Sequence, residues 1–203
     1  MNNYDDEYFF IQKSDGHGFP SLTPNEDTVE RKYSFEIQSN DLSPFVFFNG
    51  AKDYLRKIGV TAVKSPPEIL FDGTDLVVTS AIREKLVDMN IPGLYIHPTV
   101  YIGDDGSWHE DYWFLSFPIR FDCWDREKSD FSDTVLDLGG FKLHSVYTYS
   151  LDAKLLNDTP LEQRLLFKLG GTLDAYIVCH KSIARLFRGN GANGAKLVRI
   201  ADF

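Results

Sequence analysis

The sequence predicts an α+β fold, a mainly antiparallel sheet with a few short helices. Apolar and polar residues alternate in many short runs that end at turn residues, as in strands. Aromatic residues, which favour sheet, make up 14% of the chain. Helical patterns interrupt the strands irregularly, unlike the regular alternation of a doubly wound fold. We expect one α+β domain over residues 1–203, with a less regular part at 1–50.

The stretch 66–125 has the clearest apolar pattern and contains all three tryptophans. A helix is predicted at 81–89, because Ile82, Leu86 and Met89 share one face and Ser80 can cap its start. Turn residues at 72–75 and 104–106 separate strand-like runs. The strands predicted here are 68–71, 76–78, 94–102, 112–117 and, as an edge or bulged continuation beyond Pro118, 119–124.

The flanking regions continue the strand pattern. Residues 20–32, polar and with two prolines, are predicted to form an exposed loop. Short helices are predicted at 51–58 and 182–188, each followed by a glycine. The remaining predicted strands are 8–11, 33–37, 44–48, 134–138, 142–150, 164–168, 176–179 and 196–200.

Composition excludes some classes of function but does not identify one. Hydrophobic residues make up 43% and charged residues 25%, as in globular proteins. The formal net charge is −9 and the sequence pI is about 5.0, so the chain repels phosphate backbones, which argues against a general nucleic-acid binder. The acidity serves either solubility alone or recognition of a basic partner.

Cysteine usage and the first residues predict a cytoplasmic protein with reduced thiols. Cys123 and Cys179 are too few for a disulfide framework. The acidic start lacks a signal-peptide pattern, and no apolar run reaches the ~20 residues that span a bilayer, so we expect no membrane partner.

Three motifs that could carry chemistry have simpler interpretations. The GNGANG segment at 189–194 matches a dinucleotide-binding pattern, but a helix precedes it and a strand follows, the reverse of the required order. Cys179 and His180 are neighbours on a predicted strand and would point to opposite faces. The histidines lack zinc-ligand spacing. We therefore predict no catalytic, cofactor or metal site and no cofactor.

Paired carboxylates keep an enzyme alternative open. Asp122 and Asp125 flank Trp124, and an acid pair beside an aromatic ring suits sugar hydrolysis. The same residues equally suit a polar strand end, where aspartates bond to the backbone in turns. A hydrolase acting on a sugar or phosphoester is therefore the alternative function.

Acidic and aromatic residues also cluster as in a protein interface. Carboxylates occur around the predicted 104–106 turn and after the tryptophan-rich strand, and aromatic anchors inside a charged rim are typical of binding hot spots. The alternative is a solvated loop whose aromatic rings point inward. The predicted partner-binding residues are Asp104, Asp105, Trp108, Glu110, Asp111, Asp122, Trp124 and Asp125.

Several of these segments resemble the bacterial polymorphic-toxin immunity proteins. The first block is DGTDLVV at 72–78, followed by a short amphipathic helix and IPG at 91–93. The second is WFL at 113–115, FDCWD at 121–125 and Ser129, and the third covers 160–168 and CHKSI at 179–183. The likeness runs from Pro44 to the end and its motifs are hydrophobic and structural.

The resemblance implies a non-enzymatic protein that binds a cognate toxin domain and blocks it. The family has no catalytic motif, so no functional residue is carried over. Because immunity proteins often bind through electrostatic complementarity, an acidic member suits a basic toxin. The nature of the toxin is not implied.

Overall fold

The computed structural model describes residues 4–15, 18–32, 43–61, 63–140, 142–189 and 192–203. The strands are β1 Tyr8–Lys13, β2 Leu22–Pro24, β3 Phe45–Asn49, β4 Ile69–Asp72, β5 Asp75–Thr79, β6 Tyr95–Ile102, β7 Trp108–Ser116, β8 Asp130–Asp137, β9 Lys142–Thr148, β10 Leu166–Lys168, β11 Ile177–His180 and β12 Ala195–Arg199. The α-helices are α1 Glu26–Lys32, α2 Lys52–Lys57, α3 Ser80–Asp88 and α4 Ala153–Asp158. The strands pair antiparallel except β3 with β6, so the predicted α+β class is confirmed.

The largest sheet has six strands in the order β2-β3-β6-β7-β5-β4. Gly73 at φ 60° and Gly106 at φ 83° close its β4–β5 and β6–β7 hairpins, a conformation that suits glycine. Strand β7 is interior, paired with β6 on one side and β5 on the other. The β6–β7 hairpin is therefore held by neighbours over much of its length.

A second sheet joins the two ends of the chain in the order β10-β11-β1-β12. Phe9 pairs with Cys179 on one side and with Arg199 on the other, so the first strand is the centre of a sheet built from the last strands. A third sheet contains only β8 and β9, and its register shifts twice between Asp130 and Val135.

Apolar packing joins the two larger sheets. Helix α3 buries Ile82 and Leu86, as its apolar stripe predicted, in a cluster that includes Leu115 of the six-stranded sheet and Ile177 of the four-stranded sheet. A second cluster surrounds Trp124 and packs β1, β9, α4, β10 and β11 together. The first cluster fixes the six-stranded sheet against the four-stranded sheet, and the second holds the β8–β9 sheet on the four-stranded one.

The glycine-rich segment 189–194 takes part in that junction, although residues 190–191 lie outside the described part. The Asn193 carbonyl accepts a hydrogen bond from Ile69 N at 2.9 Å, and the Asn193 Nδ2 donates to Phe187 O. Gly194 has φ 94°, and a Cβ there would meet Ile69 O at 2.1 Å. Gly194 is thus explained by a turn and a close backbone approach between the sheets.

Four local predictions are wrong. Residues 20–32 form β2 and α1, because the Asn25 side chain accepts a hydrogen bond from Thr28 N near the start of α1. Residues 119–124 make only isolated bridges at Phe121 and Trp124. The α3 N-cap is Thr79, with Ser80 as the first helical residue. The 182–188 segment contains only the 3-10 turn Ala184–Leu186. The predicted strand 33–37 lies outside the described residues.

Candidate partner-binding surface

The turn of the β6–β7 hairpin presents acidic side chains in a defined conformation. Gly103 N donates to Ser107 O at 2.9 Å and closes the turn. Asp105 Oδ1 accepts from both Ser107 N at 2.9 Å and Ser107 Oγ at 2.6 Å. These bonds hold the pKa of the Asp105 carboxyl below its usual value, with the hydroxyl as the larger cause. The turn therefore carries negative charge at neutral pH.

An exposed tryptophan follows this turn directly. Trp108 is 63% exposed, and the predicted partner residues Asp104, Asp105, Glu110 and Asp111 are exposed with it. We call these five residues the hairpin tip. The pairing register shifts between Thr99 and Tyr101, so Glu110 and Asp111 together lie opposite Val100, and this bulge brings both carboxylates close to Trp108 in the strand. A large aromatic ring left in water among carboxylates is typical of a contact residue.

Cations and amides lie beside one side of the hairpin tip. Asn49 Nδ2 donates to Asp104 Oδ2 at 3.1 Å, and Lys52 Nζ at the start of α2 lies 3.3 Å from Asp104 O. Lys64 lines a cleft of about 90 Å³ with Asp104 and His109. Ligand pockets usually measure roughly 300–1,000 Å³, so this cleft fits only very small groups. The hairpin tip is suited to contact by another surface.

The other predicted partner residues lie on a different part of the fold. Asp122, Trp124 and Asp125 occupy the segment that bridges Phe121 to Leu169 and Trp124 to Leu151, beside the four-stranded sheet. The hairpin tip belongs to the six-stranded sheet, so one continuous acidic segment in sequence becomes two separate regions in the structure.

Trp124 is buried rather than displayed, which corrects its expected place on the surface. It is 1% exposed, and its ring makes edge contacts with Phe131 at 5.1 Å and His144 at 5.6 Å between centroids. The Arg126 guanidinium covers it at 3.9 Å from the ring centroid. Trp124 is therefore part of the core, and we leave it out of the proposed surface.

Asp122 and Asp125 are engaged in ion pairs within their own segment. Arg126 lies 2.6 Å from Asp122 and Lys128 lies 2.7 Å from Asp125. The Lys128 hydrogen bond lowers the pKa of Asp125, whereas a glycosidase general acid needs a raised one. This arrangement is that of a closed turn, with Asp125 Oδ1 accepting from Glu127 N. It gives no support to the sugar-hydrolase alternative.

The remaining nucleophile candidates are also in structural roles. Cys123 and Cys179 are free and buried; burial raises the pKa of Cys179 to about 12 and that of Cys123 further, so both thiols are protonated at neutral pH. His180 Nδ1 lies 2.8 Å from Ser182 Oγ, but it also accepts from Ser182 N as in a turn. Glu7 is 3.8 Å from His180 Nε2 and bonds instead to Lys181.

Two further features concern the described residues alone. In this part of the chain, no group of three or more His, Cys, Asp or Glu side chains is arranged to hold a metal ion. Likewise, none of the described helices has the length and apolar character needed to cross a membrane.

Comparison with known families places the chain as a whole. The profile of the Immunity protein family (Imm11) matches residues 28–202. The chain belongs to this immunity family. The match begins within α1, before the 44–203 region in which the sequence motifs resemble immunity proteins. No curated protein matches the chain.

Sequence reasoning did not single out the exposed apolar residues of the β8–β9 hairpin. Leu136, Leu138 and Tyr147 are each exposed by 46% or more. The sequence did contain an indication of them. Val135 and Leu136 are consecutive apolar residues of β8 and therefore point to opposite faces, whereas a strand with one buried face needs apolar residues on that face alone.

Proposed function

We propose that this immunity-family protein binds a cognate toxin domain in the cytoplasm and neutralises it by covering its functional surface. The observation that carries the proposal is the hairpin tip, where Trp108 stands exposed among four carboxylates. Membership of the immunity family supplies the class of partner. The chain acts by occupancy and performs no chemistry on the toxin.

The charge of the chain favours a basic toxin. The formal net charge is −9, and complementary charge accelerates encounter between proteins. In this arrangement Trp108 is the apolar anchor, while Asp105, Glu110 and Asp111 form a charged rim around it. Asp122 and Asp125 lie on a different part of the fold and are paired with Arg126 and Lys128, so we expect little contribution to binding from them.

Co-expression with the product of the adjacent gene tests the function directly. We expect growth of cells that make the toxin to be restored, and the two proteins to co-purify. Continued toxicity, with the immunity protein present in soluble form, would refute the proposed function. Association in solution should also slow steeply as salt is added, because exposed charges are screened beyond about 10 Å at 0.1 M.

Stoichiometry separates occupancy from catalysis. Toxin activity is measured with increasing amounts of the immunity protein, and we expect inhibition to end at a fixed molar ratio and to be lost when toxin is in excess. An enzyme that modifies the toxin or its substrate would instead protect at substoichiometric amounts and more completely with time. Such behaviour would favour the hydrolase alternative.

A further inference from the structure

The β8–β9 hairpin has an inward face that anchors it to the body of the protein. Directly paired residues share a face of a sheet, and successive residues alternate. Phe131 pairs with Val146 and Val135 with His144. Phe131 and His144 pack on Trp124, and Val146 is buried. This face is the one that fixes the hairpin in place.

The opposite face is apolar and open to solvent. Leu136 pairs with Leu143 on the face opposite His144, and Tyr147, at the register shift next to buried Val146, is turned to solvent. Leu136 is 46% exposed and Tyr147 is 59% exposed, while Leu138 is exposed at the turn. We call Leu136, Leu138, Leu143 and Tyr147 the outward patch. Neighbouring exposed apolar side chains of this kind mark protein contact surfaces.

Negative charge borders the outward patch along one edge. Strand β8 is the free edge of this sheet, because no strand among the described residues pairs with its outer side. The outer side of β9 is occupied, since His144 N donates a hydrogen bond to Gly171 O. Asp130, Asp133 and Asp137 are exposed along β8, and none forms an ion pair within the described part of the chain. Asp137 lies across from Lys142 on the other face and accepts from Gly139 N, so Asp130 and Asp133 form the acidic border.

This charge pattern selects the kind of partner. A second copy pairing β8 with β8 would bring together two strands that each carry three exposed aspartates, and like charges across strands are destabilising. The register shifts near Asp130 and Val135 also interrupt the edge that a strand partner would need. A partner surface that combines apolar groups with Lys or Arg side chains would be complementary both to the outward patch and to its acidic border.

We propose that the outward patch docks an apolar, Lys/Arg-bordered surface of the cognate toxin domain. This inference rests on the proposed function and adds a contact that is separate from the hairpin tip. The outward patch contributes mainly to slow dissociation, since burying exposed leucine and tyrosine side chains stabilises the bound state more than it speeds encounter.

The test compares two variants with the wild-type chain against a catalytically inactive form of the adjacent gene's toxin domain. The first variant combines Leu136→Ser with Tyr147→Ser. The matched control combines Val87→Ser with Ile119→Ser, exposed by 50% and 80% and outside the hairpin. All four side chains are substantially exposed, so both variants should fold, which circular dichroism and the unfolding midpoint will check.

We expect the outward-patch variant to bind at least about tenfold more weakly, mainly through faster dissociation, and the control to bind within about twofold of the wild type. Hydrogen exchange of the wild-type amides at 135–137 should slow when the inactive toxin is added. Equal affinity of variant and wild type, with unchanged exchange at 135–137, would overturn the outward patch and leave the proposed function standing.

Two other outcomes are equally decisive. Failure of the wild type to bind the toxin domain at all would overturn the proposed function and the outward patch together. A wild-type chain that is dimeric in light scattering, and becomes monomeric when Leu136 and Tyr147 are both changed to Ser, would show that a second copy occupies the patch and would overturn the toxin contact.

Discussion

The two acidic hairpins of this protein, β6–β7 and β8–β9, differ in what lies behind them. The first is part of the six-stranded sheet, with β3 and β5 on its two sides, and only its turn leaves the body of the sheet. The second is a sheet of two strands held through one face. The first hairpin therefore exposes the ring of Trp108 beside its turn, whereas the second exposes several apolar side chains on the side away from the body of the protein.

The two tryptophans show the same difference. Trp108 and Trp124 both lie within three residues of carboxylates in the sequence, yet Trp108 is 63% exposed and Trp124 is 1% exposed. Trp108 follows a turn at the end of a sheet, and Trp124 lies where β9 and the 121–125 segment meet. Acidic residues nearby in the sequence therefore do not show whether a tryptophan is exposed. Its exposure depends on which segments of the fold pack against it.

The largest expected effect concerns stability. Trp124→Ala should lower the free energy of unfolding by about 3–5 kcal/mol, because it removes a fully buried ring that supports the β8–β9 hairpin. Trp108→Ala, the matched control, should change it by less than about 0.5 kcal/mol. Urea unfolding measures both. If both variants lost similar free energy of unfolding, the two tryptophans would not differ in burial as proposed.

The second effect concerns binding. Trp108→Ala should weaken toxin affinity about 30-fold or more, as expected when a central aromatic anchor is truncated. Tyr54→Ala is the control, since Tyr54 is also 63% exposed. It lies about 200° around α2 from Lys52, the residue that contacts the hairpin tip. Calorimetry with the inactive toxin compares them, and a loss no greater for Trp108 than for Tyr54 would remove the tryptophan as an anchor.

The third effect is on association rate and is smaller. Combining Asp105→Asn with Glu110→Gln should slow association roughly threefold to tenfold at low salt, and the difference should vanish at high salt. Combining Asp122→Asn with Asp125→Asn should alter the rate less than about twofold, because Arg126 and Lys128 already neutralise those carboxylates. Stopped-flow mixing gives the rates. A larger effect from the second pair would move the acidic surface to the 121–125 segment.

The smallest effect is confined to one carboxyl group. Ser107→Ala removes the hydroxyl that donates to Asp105 Oδ1, so the pKa of Asp105 should rise toward its usual value. The charge at pH 7 stays the same, and binding there should not change. An NMR titration of the Asp105 carboxyl carbon follows the shift, with the wild-type protein as the reference. An unmoved Asp105 titration would mean that the hydroxyl bond does not hold the turn in solution.

Local patterns predicted much of the fold. The alternation of apolar residues predicted most strands, and the glycine-containing turns at 72–75 and 104–106 predicted the β4–β5 and β6–β7 hairpins. The helix α4 was missed, although Asp152 accepts hydrogen bonds from Lys154 N and Leu155 N as its N-cap. Its six residues carry too short a stripe for periodicity to detect.

Of the candidate surface, the sequence located the acidic turn but could not divide exposed from buried residues. Asp104, Asp105, Trp108, Glu110 and Asp111 are exposed together, as the interface hypothesis required of them. Trp124 and the ion-paired Asp122 and Asp125 had the same local composition and a different environment. Burial and ion pairing depend on residues far along the chain, which no local pattern contains.

By itself, the sequence determined the α+β class, the acidic charge and the likeness to immunity proteins, because strand periodicity, turn chemistry and composition are local properties. The tertiary structure alone decided that Trp124 supports a hairpin from beneath while Trp108 remains in solvent. It also decided that the β8–β9 hairpin turns Leu136 and Tyr147 outward. Register between strands sets which face of a sheet is covered, and that register is fixed by contacts between distant segments.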